Sequence, residues 1–67
     1  MTLTEATAQA IENLRSSPFV QIIIRKADGS FTVMSSYDYA LSVFQSYYKA
    51  FYHDGSEVQG SQVYTTT

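Results

Sequence analysis

The chain contains no cysteine. That absence removes disulfides, thiolate zinc sites, iron–sulfur clusters and a cysteine nucleophile. A single histidine, His53, is too few for a histidine-rich metal site within one chain. The three glycines, Gly29, Gly55 and Gly60, stand apart from one another. Neither G-x-x-x-x-G-K nor G-x-G-x-x-G occurs, so no phosphate-cradling loop is encoded. Positive charge is scarce too: four basic residues stand against six acidic ones, for a net charge of −2. This is neither the basic footprint of a nucleic-acid binder nor the dense acidity of a DNA mimic. No apolar run exceeds Ile22-Ile23-Ile24, far short of a membrane-spanning helix. The opening MTLTEATAQA lacks the basic and apolar regions of a signal peptide. Together these absences lead to the expectation of a cytoplasmic protein that uses no cofactor and no metal.

With 67 residues the chain is long enough for one domain. A domain of that size buries only about 60% of its unfolded surface. With disulfides and metals set aside, stability has to come from tight packing or self-association. What the sequence does have is aromatic rings, six tyrosines and four phenylalanines. Four of them fall in the stretch SYYKAFYH, residues 46–53.

The spacing predicts a helix over residues 2–16. Thr2 and Glu5 have capping-box spacing, and Leu3, Ala10, Ile11 and Leu14 recur on one stripe. Ser16-Ser17-Pro18 ends it, because proline disfavours helical geometry in the residue before it. FVQIIIRK, residues 19–26, reads as a strand rich in β-branched residues. Val20, Ile22 and Ile24 point one way as core; Phe19, Gln21, Ile23 and Arg25 form a mixed face suited to partial cover or an interface. Asp28-Gly29 marks a hairpin turn, and Phe31–Ser35 is the return strand. A two-residue loop places Ile24 opposite Val33, with Phe31 and Val33 joining the Val20/Ile22/Ile24 face. A three-residue loop with a bulge shifts the pairing by one. Alternation favours the first register.

Ser35 and Asp38 have the spacing of a second helix cap. From there the pattern predicts a second helix running to His53, with Gly55 free to take the left-handed conformation that closes a helix. On a wheel of about 100° per residue, Tyr37, Ala40, Leu41, Phe44, Tyr47, Tyr48 and Phe51 share one arc. Tyr52 lies at one edge of it, and Val43, Ala50 and Tyr39 at the other. Apolar residues then cover roughly 220°, well beyond the stripe a surface helix needs. The tail SEVQGSQVYTTT is polar, with strand propensity at residues 62–65. No internal repeat is visible. The expected fold is therefore α+β: a compact α-β-β-α domain over residues 1–55, both helices on one face of an antiparallel hairpin sheet, and a polar tail or edge strand over 56–67.

Chemistry-bearing residues are sparse. His53-Asp54 with Ser56 and Glu57 has the residue types of a catalytic site, but neighbours in a turn rarely reach the geometry of nucleophile, base and orienter. Asp28, Asp38, Asp54 and Glu57 sit at ordinary turn and cap positions. The expectation is a non-enzymatic protein-binding module, either self-associating as a homodimer or binding a larger protein. Its interface would use the aromatic second helix (Tyr39, Val43, Ala50, Tyr52) and the second hairpin face (Phe19, Ile23). A short chain without catalytic machinery resembles, in general style, the small accessory inhibitors of phages and mobile elements, which occupy a surface on a larger enzyme. The alternative is weak binding of single-stranded nucleic acid through Arg25, Lys26, Lys49 and nearby tyrosines.

Overall fold

The helix α1 spans Leu3–Leu14 in the computed structural model, which describes residues 1–44 and 46–60. Its start is the expected capping box. Thr2 Oγ1 accepts from the Glu5 N–H at 3.2 Å, and Glu5 Oε1 accepts from the Thr2 N–H at 2.8 Å. Ala6 and Ala10 are fully buried, with Leu14 packed beside them, whereas Ile11 from the expected stripe stands about half exposed. Small alanines let the helix axis approach the sheet closely.

Five residues, Gln21–Arg25, form β1. It is the hub of a four-stranded antiparallel sheet of order β2-β1-β3-β4, in which β2 is Phe31–Ser35, β3 is Lys49–Phe51 and β4 is Glu57–Gln59. Both faces of β1 are covered, so Ile22, Ile23 and Ile24 are all buried, and the triple isoleucine suits a central strand. Gln21 is buried beside them and satisfied: its amide nitrogen donates to the Phe19 carbonyl at 3.2 Å, and its oxygen accepts from Asn13 at 3.3 Å.

The hairpin takes the three-residue register. Ile24 faces Thr32, Ile22 faces Met34 and Ile23 faces Val33. The Gly29 N–H donates to the Lys26 carbonyl at 2.9 Å and Lys26 N–H to the Ser30 carbonyl at 2.8 Å, with Gly29 at φ +90°. Phe31 and Val33 therefore join Ile23, not Ile22 and Ile24. Alternation alone could not separate the registers, because β1 is apolar on both faces.

The largest difference from the sequence pattern lies after Ser35. Helix α2 is only Ser36–Ala40. Ser35 Oγ caps it, accepting from the Asp38 N–H at 3.0 Å. Ser42 turns the chain out: its hydroxyl donates to the Tyr39 carbonyl at 2.8 Å and accepts from the Phe44 N–H at 3.2 Å. Residues 49–51 are then a strand, not the end of a helix. Lys49 and Phe51 share a face with Ile23, while Ala50 shares the other with Ile22. The broad apolar arc on the helical wheel was the projection of a segment that packs against two sheet faces.

Asp54-Gly55 closes a second hairpin, with Gly55 at φ +91°. The same tripeptide, Asp-Gly-Ser, turns both hairpins, and the two turns share their bonds. Ser30 N–H and Oγ donate to Asp28 at 2.9 and 2.7 Å; Ser56 N–H and Oγ donate to Asp54 at the same distances. The architecture is thus a single-domain α+β fold, and the order α-β-β-α is followed by two short strands. The two helices do not share a face. α1 covers the Ile23/Phe31/Val33/Phe51 side, whereas Tyr39 of α2, Phe44 and Tyr47 cover the Ile22/Ile24/Ala50 side. With β1 apolar on both sides, one layer of helices could not bury it. The expected strand at residues 62–65 lies outside the described residues.

Candidate functional site

Among the described residues, apart from Met1 and Val58, exposed apolar side chains gather in two places. The first lies where the chain enters β1 and where α2 ends. The rings of Phe19 and Tyr37 stack at 5.7 Å between centroids, and both residues are about half exposed. Leu41 follows Tyr37 by one helical turn, on the same side of α2, at 70% exposure. Val43, at 68%, lies two residues beyond. The two rings meet at an interplanar angle of 29°, and this stacking arranges that part of the patch before anything binds to it.

The second is an open groove of about 420 Å³ between α1 and the turn of the second hairpin. Ile11, Leu14, Phe51 and Tyr52 form its apolar lining, and Arg15, His53 and Glu57 its polar one. Its charged groups are largely engaged. Glu57 holds Lys49 at 2.9 Å, and the His53 Nε2–H donates to the Ser17 carbonyl at 2.7 Å, which ties the hairpin turn to the α1–β1 connection. Arg15 lies 4.0 Å from Glu12.

The residues expected from sequence to form one interface are scattered. Phe19 belongs to the exposed patch, Val43 stands exposed two residues beyond Leu41, and Tyr52 borders the groove. Ile23 and Ala50 are buried on opposite faces of the sheet, so neither is available to a partner of the folded chain. Tyr39 is half-buried and meets Tyr47 edge-on at 5.7 Å. Burial, and then the neighbouring Tyr47, pushes its phenol pKa up, so it stays neutral within the packed layer. Of the expected cations, Arg25 is half-buried on β1, Lys26 is exposed at the first turn, and Lys49 is paired with Glu57. Tyr37 and Leu41 share an arc with Phe44, Tyr47, Tyr48 and Phe51 only if their helix continues through residues 44–51, and it stops at Ala40. The signal that could have separated them is Ser42, a residue that competes with helix by bonding the backbone.

The catalytic-looking run has structural duties. Ser56 donates twice to the Asp54 carboxylate, first through its hydroxyl and then through its N–H, and this holds the Asp54 pKa below the ordinary carboxylate value. Among the described residues no group of three or more histidine, cysteine, aspartate or glutamate side chains could hold a metal ion. No described helix is long and apolar enough to cross a membrane. No protein-family model, no curated protein and no solved structure matches the chain.

Proposed function

We propose that the chain is a non-enzymatic protein-binding module that docks on a larger protein through Phe19, Tyr37, Leu41 and Val43. One observation carries this reading: two stacked, half-exposed aromatic rings lie one helical turn from a leucine that is 70% exposed. Contiguous exposed apolar surface marks interaction sites, and buried aromatic anchors dominate the energy of such interfaces. The fitting counterpart is a shallow apolar groove on the partner. Inhibition of an enzyme would follow where that groove overlaps its working site.

The non-enzymatic part of the proposal draws on His53, Asp54 and Ser56, which are engaged in holding the second hairpin. The nucleic-acid alternative gains nothing from Lys49, whose charge is met by Glu57.

The test is quantitative affinity capture from the cells of origin, with the native chain, Tyr37→Ser/Leu41→Ser and the groove variant Ile11→Ser as baits. All three positions are exposed, so the variants should stay folded, with Tyr37→Ser losing about 0.5–1.5 kcal/mol of ring stacking on Phe19. The expected result is a protein enriched by the native chain and by Ile11→Ser but lost with the double variant. Equal capture by all three baits, or no enriched protein, overturns the reading.

A further inference from the structure

The two edges of the sheet differ. At the β2 edge, Met1 exchanges backbone bonds with Phe31: Phe31 N–H donates to the Met1 carbonyl at 2.9 Å, and the Met1 amino group donates to the Phe31 carbonyl at 3.4 Å. All five β2 residues are partly covered. At the opposite edge, Glu57, Val58 and Gln59 of β4 are all exposed. Exposed strand edges are usually blunted by lysine, proline or a bulge. β4 is only three residues long, which itself limits an edge, but it has no lysine or proline, and its one charge, Glu57, is met by Lys49.

The bonding phase of β4 shows which groups it offers. Tyr52 N–H donates to the Ser56 carbonyl at 3.0 Å, and Gly60 N–H to the Tyr48 carbonyl at 3.0 Å. Hydrogen-bonded pairs recur at every second residue of an antiparallel ladder. Ala50 and Val58 are therefore also such a pair, and the N–H and C=O of Val58 point inward. Those of Glu57 and Gln59 point outward, as four backbone groups that meet no partner among the described residues.

We infer that β4 is a pairing edge for a second copy of this chain, antiparallel about a two-fold axis at Val58. The inference stands apart from the patch on α2 and does not depend on it. In this arrangement Glu57 lies opposite the second copy's Gln59, and Gln59 opposite its Glu57, giving four backbone hydrogen bonds between chains. Val58 meets its symmetry mate in a non-hydrogen-bonded pair, the position where side chains approach most closely. The apolar row Met34, Ile22, Ala50 and Val58, which crosses the sheet in register and now ends on a 42%-exposed valine, continues into the second copy. Charge agrees with this axis. No carboxylate faces a carboxylate, and Glu57 is already balanced by Lys49 in its own chain. Proteins with two copies most often share a two-fold, self-complementary patch.

The test is molecular mass by sedimentation velocity across a concentration series reaching about 1 mM, enough to detect weak pairing. The native chain is expected to pass from monomer to dimer. Gln59→Pro removes one outward donor without touching the inner ladder, so it should stay monomeric. Gln59→Glu sets two carboxylate pairs face to face across the axis and should raise the dimer dissociation constant about tenfold. Within its own chain the introduced carboxylate sits opposite Lys49, so the fold itself is not weakened. If Gln59→Pro fails to fold, amide exchange on the native chain decides: Glu57 and Gln59 should exchange quickly when dilute and slowly when concentrated, while Val58 stays protected throughout. A native chain that is monomeric at every concentration overturns the inference. A dimer in which Gln59→Glu leaves the dissociation constant unchanged, or in which Glu57 and Gln59 stay fast, overturns it equally.

Discussion

Ile23 sits with no exposed surface beneath Ala6 and Ala10 and against Phe51, at the point where α1 meets the sheet. Truncating such a side chain removes its contacts and leaves a cavity, at a cost of about 2–5 kcal/mol. A domain of this length has a total stability of only roughly 3–10 kcal/mol. Ile23→Ala should therefore shift the urea midpoint drastically or unfold the chain, whereas Val43→Ala, on a side chain 68% exposed, should leave it nearly unchanged. At the same scale, Asp28 and Asp54 carry pKa values lowered first by the Ser30 and Ser56 hydroxyls and then by the N–H groups of the same serines. Glu5 is lowered by the backbone N–H of Thr2 and next by its side chain. A carboxylate with a folded pKa below its unfolded value adds stability at higher pH and loses it as the pH falls through the folded pKa. Thermal melts should thus weaken on the acid side of the ordinary carboxylate range. Asp28→Asn/Asp54→Asn should show a shallower acid dependence than the native chain.

At the level of elements, the two Asp-Gly-Ser turns act as twins. Each glycine holds a left-handed φ with open space where a Cβ would stand, so an alanine there costs backbone strain alone. Gly29→Ala and Gly55→Ala should each destabilise by about 1–2 kcal/mol in chemical denaturation, and by similar amounts. Unequal losses would mean that the turns are not equivalent. Gly60 is a different case, because a Cβ there would run into the backbone carbonyl and ring of Tyr47. The twin turns also explain what the sequence could and could not convey. The capping box at Thr2 and Glu5, the β1–β2 hairpin and the α+β class were legible, since each rests on local chemistry. The second hairpin was not, because a left-handed glycine after aspartate closes a helix as readily as a hairpin. If Gly55 ends a helix, Lys49–Phe51 falls inside it. Their alternation between the two sheet faces becomes visible only when β1 lies beside them.

For the molecule as a whole, the consequence is that most rings are consumed by covering a sheet that is apolar on both sides. Tyr39, Phe44 and Tyr47 close one face, and Phe31, Tyr48 and Phe51 help to close the other. Of the residues expected to bind a partner, Phe19 stands in the open patch with Tyr37 and Leu41, and Val43 is exposed just beyond Leu41, once α2 ends early. Burial in a three-layer arrangement depends on which segments pair across the sheet, and no local pattern encodes that. The patch on α2 and the edge at β4 are separate surfaces, so a partner and a second copy could bind together. The most direct measurement is amide hydrogen exchange of the chain with and without its captured partner. The account predicts slowed exchange in residues 36–43 and around Phe19, with residues 11–15 and 52–57 unchanged. Protection confined to residues 11–15 and 52–57 would place the binding in the groove and contradict it.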